Sequence, residues 1–179
     1  MSIFNIINLP DITSSNDYIL ERLDILAPDT VVVAEQQTNG RGTNGRVWLS
    51  PPGNLYFSLY KKLATSQVAL QNLSINVGVK VAETLFDAGV VDIGIKWPND
   101  LFLRQKKLGG ILIETKNSLE TGYVAVVIGL GLNLIAMPDL TLAINQPYTS
   151  LAAEGYQVDR EVLLARLLLN INSAQQLQS

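Results

Sequence analysis

The chain has 179 residues, of which 47% are hydrophobic and only 16% are charged, a composition that predicts a single core-forming domain over 1–179 and argues against disorder. Its formal net charge is −3, and because nucleic-acid-binding proteins are usually basic, we expect no nucleic-acid partner. The sequence contains no cysteine and no histidine, which excludes disulfides, thiolate nucleophiles, imidazole bases and metal sites built on these residues.

Nothing in the sequence suggests a membrane or a secretory signal. No apolar run approaches the ~20 residues that span a bilayer. The apolar start, residues 1–10, lacks the basic region and the cleavage pattern of a signal peptide. We therefore expect a soluble, cytoplasmic protein without membrane contact.

The first half of the chain alternates helix and strand signals. Ser14 followed by Asp17 resembles a capping arrangement and predicts a helix beginning there. Apolar runs over 30–34 and 55–60 predict strands. Between them, residues 38–53 hold four glycines and two prolines, which is typical of a long loop.

The second half continues with a helix, a series of short strands and a last helix. Apolar residues at helical spacing predict a helix over 68–88 that ends at Gly89. Short strands are predicted at 93–97, 101–103, 110–114 and 123–130, with a turn over 104–107 and a loop over 138–147. Asp159 is a predicted cap for the last helix. This order favours an α+β domain with a mixed or antiparallel sheet flanked by helices.

The last helix is unusually apolar. Its leucines cover more than one helical stripe and are Leu163, Leu164, Leu167, Leu168 and Leu169. A helix with one face in water does not need so many. We therefore expect a second surface to pack there, either a further domain or a partner chain, the latter giving a homodimer.

The first segment that carries chemistry is a glycine-rich loop, Gly40-Arg41-Gly42-Thr43-Asn44-Gly45-Arg46, followed by Val47-Trp48. Its glycines would let the backbone approach a ligand and expose N–H groups to an anion. Its arginines can fork onto phosphate oxygens. It matches neither the P-loop nor the dinucleotide fingerprint, and taken alone it is more typical of a flexible, solvated surface loop.

The second segment is rich in lysine. Lys96-Trp97-Pro98-Asn99-Asp100 is followed by Lys106-Lys107-Leu108-Gly109-Gly110. An acidic protein that concentrates cations in two loops favours an anionic ligand. For Arg104 and Lys106 we prefer an exposed hairpin turn, whereas Lys107 lies where the turn enters a buried strand.

The third segment is Ile128-Gly129-Leu130-Gly131-Leu132-Asn133. Glycines weaken a strand unless something must approach its backbone closely. A bulge or packing contact and a ligand-binding floor explain them equally well.

Together these segments resemble the biotin–protein ligase family, in order and spacing, from about Ser14 to Asn133. The matching pieces are Ser14-Ser15-Asn16, Gln37, the loop 40–48, Lys-Trp-Pro-Asn-Asp at 96–100, Lys-Leu-Gly-Gly-Ile-Leu at 107–112 and Gly-x-Gly-x-Asn at 129–133. The resemblance implies a class II synthetase-like catalytic domain. Two departures stand out: Thr43 replaces the usual arginine, and the family's small C-terminal β-barrel is expected to be absent. Some members begin with a DNA-binding domain, which we do not expect before Ser14.

The resemblance implies two reaction steps, with ATP and biotin as substrates and Mg²⁺ as the cation. Biotin is activated as biotinyl-adenylate and then transferred to a lysine of the biotin carboxyl carrier domain of a carboxylase. Neither step needs an enzyme nucleophile; both need alignment of reactants and relief of charge repulsion.

The resemblance also implies roles for individual residues. The catalytic set is Arg41, Lys107 and Asp100, with Asp100 orienting or deprotonating the incoming lysine. The biotin-binding set is Ser14, Ser15, Asn16, Gln37, Gly40, Arg41, Gly42, Thr43, Lys107, Gly110, Gly129 and Gly131. The ATP-binding set is Arg41, Arg46, Trp48, Lys107 and Asn133, and no residue is assigned as a metal ligand. Trp97 is expected to be a core aromatic, and Lys96 fits structure and ligand binding equally.

Two alternatives remain open from the sequence. A lipoate–protein ligase of the same fold fits less well, because the glycine loop matches the biotin branch better. A non-catalytic protein that binds biotin as a sensor is disfavoured by Arg41, Lys107 and Asp100 but mildly favoured by Thr43.

Overall fold

The computed structural model describes residues 4–64, 72–117, 122–136 and 146–176. Its contacts group the chain into two compact units. Unit 1 comprises Met1–Gln71 and Ile111–Gly131, and unit 2 comprises Asn72–Gly110 and Leu132–Ser179.

Seven strands and three α-helices make up most of the regular structure of the described residues, with short 3-10 helices at Thr43–Gly45 and Ala152–Glu154. The strands are β1 (Asn5–Ile12), β2 (Thr30–Gln37), β3 (Leu55–Leu63), β4 (Ile93–Lys96), β5 (Asp100–Leu103), β6 (Lys106–Asn117) and β7 (Val124–Leu132). The helices are α1 (Ser15–Leu20), α2 (Leu73–Asp87) and α3 (Arg160–Gln176). The strands hydrogen-bond in the order β1-β2-β3-β7-β6-β5-β4. Since β1 and β2 are parallel while β2–β3, β4–β5 and β5–β6 are antiparallel, the predicted α+β class with a mixed sheet is confirmed.

Unit 1 is built around β2, whose residues from Thr30 to Ala34 are at most 3% exposed. Such a continuous apolar run is typical of a strand that is covered on both faces. Ile19 of α1 packs in one cluster with Val32, Tyr60 and Val127. The helix is capped as predicted, because the Ser14 side chain accepts a hydrogen bond from the backbone N–H of Asp17. This packing holds the start of α1 against the strands that carry the site residues of unit 1.

Strand β1 was not predicted from the sequence. It pairs in parallel with β2, from Asn5 opposite Thr30 to Ile12 opposite Gln37. It contains Pro10, which cannot donate a backbone hydrogen bond and is tolerated at a sheet edge. The proline and the lack of strict alternation in its burial removed the local signal for a strand.

In unit 2, α2 packs against α3 and against β4 and β5. The buried face of α2 includes Leu73, Val77, Val81 and Leu85. The Asn170 amide of α3 donates a 2.8 Å hydrogen bond to the Thr84 hydroxyl of α2. The Asp159 carboxylate caps α3 by accepting from the backbone N–H groups of Glu161 and Val162, as predicted.

The expectation that α3 needs a second packing surface is mostly wrong. Leu163, Leu164, Leu167 and Leu168 are at most 4% exposed within the chain itself. Among the described large apolar residues of α3, only Val162 and Leu169 are exposed, at 50% and 60%. The chain itself therefore already covers more than one apolar stripe of the helix.

Several boundaries differ from the predictions. Helix α2 is described from Leu73, and the predicted start at 68 lies outside the described residues, as does most of the predicted loop 138–147. The turn before β6 is confined to Arg104 and Gln105, whose φ angles are 47° and 67°, so β6 already begins at Lys106. No helix among the described residues has both the length and the apolar character needed to cross a membrane.

Candidate functional site

The glycine-rich loop folds back on itself as a short hairpin. The Trp48 N–H donates to the Gly40 carbonyl over 2.8 Å, and the Gly42 N–H donates to the Arg46 carbonyl over 2.7 Å. Asn44 provides the turn in the left-handed region, with a φ of 58°. A Cβ atom at Gly40 would lie 2.4 Å from the Trp48 carbonyl oxygen. Glycine at 40 is therefore required for closure of the hairpin itself.

Ser15 and Gln37, which the sequence placed far apart in one predicted set, are in direct contact. The backbone N–H and the hydroxyl of Ser15 donate to Gln37 Oε1 over 2.8 and 3.1 Å. Gln37 Nε2 donates to Ser50 Oγ over 2.8 Å. These contacts fix the orientation of the Gln37 amide against the start of α1, whose cap is Ser14.

Asn16 is buried, with 3% exposure, and its amide is held on both ends. Its Nδ2 donates to Glu114 Oε2 over 2.8 Å, and the Ser58 hydroxyl approaches its Oδ1 at 2.5 Å. A Cβ atom at Gly129 would lie 2.4 Å from the same Oδ1. The group that lies closely against the Gly129 backbone is therefore the Asn16 amide, which belongs to unit 1.

Gly131 has a similar neighbour. A Cβ atom there would lie 2.5 Å from Nε1 of Trp48, so the indole ring packs directly on the backbone of β7. The contact places the aromatic end of the glycine-rich loop over the third motif, and both belong to unit 1.

Arg41 is clamped by two carboxylates. Its Nη1 and Nη2 donate to the two oxygens of Glu114 over 2.9 and 2.6 Å. Its Nε and Nη2 contact the two oxygens of Asp17 at 3.2 and 2.6 Å. Burial alone would lower the pKa of Arg41, but the hydrogen bonds and charges of Glu114 and then Asp17 outweigh it and raise that pKa. Arg41 is therefore a permanent cation, as an anion-binding role requires.

Thr43 and Arg46 contact each other across the tip of the loop. Arg46 Nη2 donates to Thr43 Oγ1 over 3.3 Å, and its Nε donates to the Thr43 carbonyl over 3.4 Å. The guanidinium of Arg46 thus lies beside the position where the family usually has an arginine.

In unit 2, Lys107 and Asp100 form a shielded ion pair. Lys107 Nζ lies 2.8 Å from Asp100 Oδ1, and the two side chains are 10% and 17% exposed. The backbone of Lys107 is also fixed, since its N–H donates to the Pro147 carbonyl and its carbonyl accepts from the Thr149 N–H. Asp100 pairs in register with Gly110, another predicted site residue.

Asn133 serves the same segment. Its Nδ2 donates to the Thr149 carbonyl over 3.0 Å, and its backbone N–H donates to the Leu108 carbonyl. Asn133 therefore links Leu108 of β6 to Thr149, whose N–H contacts the Lys107 carbonyl.

The two cations of the turn before β6 share one acid. Arg104 and Lys106 each lie 3.1 Å from Glu154, and their side chains are about half exposed, which confirms the predicted hairpin turn. Hydrogen bonds from Thr149 first, and then from Lys106 and Arg104, lower the pKa of Glu154. The pKa of Arg104 is raised, first of all by its hydrogen bond to Glu154.

The prediction that Trp97 is a core aromatic is wrong. Its side chain is 76% exposed, because the chain leaves β4 at Lys96 and turns into β5 at once. Lys96 lies over the Phe102 ring, 5.5 Å from its centroid, which gives this lysine a structural contact.

Sequence reasoning missed the residues that orient the predicted ones. Glu114 and Asp17 hold Arg41, and Ser58 and Ser50 hold Asn16 and Gln37. Asp17 had a local signal as the acidic first-turn residue of a capped helix. Ser58 and Glu114 lie in strands of ordinary composition, so only the pairing of the strands reveals them.

The mixed sheet and the clusters around Arg41 and Lys107 are consistent with the family that the sequence motifs resemble. Comparison with known proteins shows the same family. The model of the biotin/lipoate A/B protein ligase family matches residues 9–133, more than half of the chain. The chain belongs to this family, and its fold is the class II synthetase-like fold that the sequence predicted.

Individual relatives narrow the resemblance to the biotin branch. The chain is 40% identical over 175 residues to the bifunctional ligase/repressor BirA of Salmonella typhimurium, covering 97% of this chain and 54% of that protein. It is 32% identical over 156 residues to the biotin–[acetyl-CoA-carboxylase] ligase of Paracoccus denitrificans, covering 84% and 65%.

Among solved structures, the biotin protein ligase of Aquifex aeolicus in complex with biotin and ATP superposes with a TM-score of 0.79. The two chains share 30% identity, and the match covers 96% of this chain and 70% of that one. The chain spans about half the length of BirA.

Proposed function

We propose that this chain catalyses ATP-dependent biotinylation of a specific lysine on a biotin carboxyl carrier domain, through biotinyl-5′-adenylate. The observation that carries the proposal is the network in unit 1. There Ser15, Asn16, Gln37 and Arg41, which come from three separate sequence motifs, are held in defined orientations by hydrogen bonds. The names of the Paracoccus and Aquifex relatives supply the ligands that such a network would serve.

The reaction balances without an enzyme nucleophile. A carboxylate oxygen of biotin attacks the α-phosphorus of ATP, the bond from that phosphorus to the bridging oxygen breaks, and pyrophosphate leaves. The acceptor amine then attacks the biotinyl carbonyl, the acyl–phosphate bond breaks, and AMP and a proton leave. The protein must align the reactants and stabilise the negative charge that develops in each transition state.

The polar network of unit 1 suits the neutral head of biotin. Ser14, Ser15, Asn16 and Gln37 present hydroxyl and amide groups that are buried or partly buried. Neutral donors and acceptors match a neutral ligand without the cost of desolvating a charge. From the resemblance, we also assign roles in biotin binding to Gly40, Gly42, Thr43, Gly110, Gly129 and Gly131.

The cations bind the reacting anions. We assign Arg41 and Lys107 to the carboxylate and the α-phosphate, whose mutual repulsion opposes the first step. Arg46, Trp48 and Asn133 bind the nucleotide. Arg46 offers an exposed charge near Thr43, and Trp48 offers an aromatic face.

Asp100 acts in the second step. Its carboxylate pairs with the Lys107 ammonium, 2.8 Å away. In this proposal it orients that lysine and accepts its proton.

Magnesium enters with ATP. We propose an ion that is carried on the substrate phosphates and keeps much of its water. The cation would neutralise part of the triphosphate charge.

We propose the cytoplasm as the compartment in which the reaction takes place.

The test is transfer to a carrier domain, followed by intact-protein mass spectrometry. Purified chain is incubated with ATP, a biotin carboxyl carrier domain and either biotin or lipoate. We expect a mass increase of one biotinyl group that requires ATP, and none on a carrier whose target lysine is changed to arginine.

The two alternative functions, a lipoate ligase and a biotin sensor, predict different results in this assay. Modification with lipoate but not biotin would assign the chain to the lipoate branch. Biotin binding without any ATP-dependent modification would make it a sensor, and either result would contradict the proposal.

A further inference from the structure

Both hydrogen-bonding edges of the Arg41 guanidinium are occupied by the protein itself. The Nη1/Nη2 edge faces Glu114 and the Nε/Nη2 edge faces Asp17, each through two oxygens. A guanidinium binds a carboxylate or phosphate best through two parallel hydrogen bonds along one edge. An oxyanion can therefore receive a full fork from Arg41 only if one of these two acids withdraws.

Glu114 is the better anchored of the two. Its Oε2 also accepts from Asn16 Nδ2 over 2.8 Å, and it is the less exposed side chain, at 24% against 31% for Asp17. Among the described residues, the Asp17 carboxylate pairs with Arg41 alone. Its backbone N–H stays bound to the Ser14 hydroxyl, so its side chain is free to turn away without undoing the start of α1.

The net charge of the cluster also favours withdrawal of one of the two acids when an anion binds. One arginine between two carboxylates leaves this cluster with a net charge of −1, which opposes an incoming anion. Withdrawal of one carboxylate towards solvent would leave a neutral pair and an open edge.

We propose that Asp17 is a specificity-determining residue that holds the place of the substrate oxyanion on Arg41, while Glu114 is the positioning residue that keeps the other edge. This proposal rests on the proposed function. The oxyanion is the biotin carboxylate or a phosphate of ATP, which share the chemistry that Arg41 recognises. Asp17 orients the Arg41 guanidinium until the substrate oxyanion exchanges with it.

Two isosteric changes on the same arginine should act in opposite directions. Asp17→Asn removes the competing charge, so the dissociation constant of the anion that uses this edge should fall about two- to five-fold, which corresponds to the upper part of the range for exposed ion pairs. Glu114→Gln loosens Arg41 and Asn16, so the same constant should rise. Asp24→Asn is the matched control, since Asp24 is exposed on the same unit and its change alters net charge equally.

The measurement is isothermal titration of the whole chain with four probes. Biotin and biotin amide test the carboxylate, and ATP and adenosine test the phosphates. We expect one anionic probe to gain affinity in Asp17→Asn but not in Asp24→Asn, and its neutral counterpart to be unchanged. Thermal unfolding of each variant verifies that it is folded, and if Glu114→Gln is not, the Asp17 comparison decides alone.

The inference is overturned if Asp17→Asn binds both anions as the wild type does, or if the neutral probes gain equally. That result is distinct from failure of the proposed function, in which the wild-type chain would not exchange pyrophosphate into ATP in the presence of biotin.

Discussion

Replacement of Lys107 by methionine separates stability from chemistry. Methionine keeps an unbranched apolar stem and removes the ammonium that lies 2.8 Å from Asp100. Breaking a fully buried pair costs about 3–5 kcal/mol. Since these side chains are 10% and 17% exposed, solvent screening reduces the expected loss to about 2 kcal/mol. At about 2–4 °C per kcal/mol for a chain of this size, Tm should fall by roughly 4–8 °C.

The effect on adenylate formation should be larger. Loss of one donor aimed at charge that develops in a transition state typically lowers a rate ~10²- to 10³-fold. The assay is biotin-dependent pyrophosphate release at a temperature where the variant is fully folded, alongside denaturant unfolding. Asp100→Asn is the matched control, because it breaks the same ion pair from the other side. It should lose similar stability, keep most adenylate formation and slow transfer to the carrier. Near-normal pyrophosphate release from folded Lys107→Met would refute the role assigned to Lys107.

The other predictions concern a glycine, an acid and the loop tip. Gly129→Ala places a methyl group 2.4 Å from Asn16 Oδ1, so it should destabilise by about 1–3 kcal/mol in chemical unfolding, whereas Gly94→Ala, with nothing within 4 Å, should not. The pKa of Glu154 is lowered in the folded state, so the stability that its ionised carboxylate contributes is present at neutral pH and lost as pH falls through the folded pKa. The difference in Tm between wild type and Glu154→Gln should therefore shrink on acidification. A difference that stays constant would argue against an ionic origin. Thr43→Arg should slow dissociation of biotinyl-adenylate roughly ten- to a hundred-fold and reduce stray labelling of a bystander protein, unless Arg46 already closes the loop.

The sequence predicted most elements because their signals are local. The continuous apolar run at the start of β2, the Ser14 cap and the leucine spacing of α2 each carry their own information. Strand β1 was missed because it is held by a parallel partner and contains Pro10. Trp97 was misplaced because an aromatic residue beside a strand is usually buried, and only the immediate turn into β5 exposes it.

The candidate site was predictable only as a set of motifs. The resemblance supplied Arg41, Lys107 and Asn16, but nothing local indicated that Glu114 would reach Arg41 and Asn16 at once, since it is 73 residues from Arg41. Contacts of that kind depend on the register between strands, which composition does not encode. Asp17 could have been found as an acid beside a predicted ligand, although its pairing with Arg41 could not.

The central claim is that this chain activates biotin as an adenylate. The most direct measurement is a single-turnover reaction of the chain with biotin and ATP labelled at the α-phosphate, quenched and separated by chromatography. We predict a labelled product with the mass of biotinyl-5′-adenylate, formed only when biotin is present, reduced strongly in Lys107→Met and retained in Asp100→Asn. Unchanged ATP, or labelled AMP formed equally without biotin, would contradict the account.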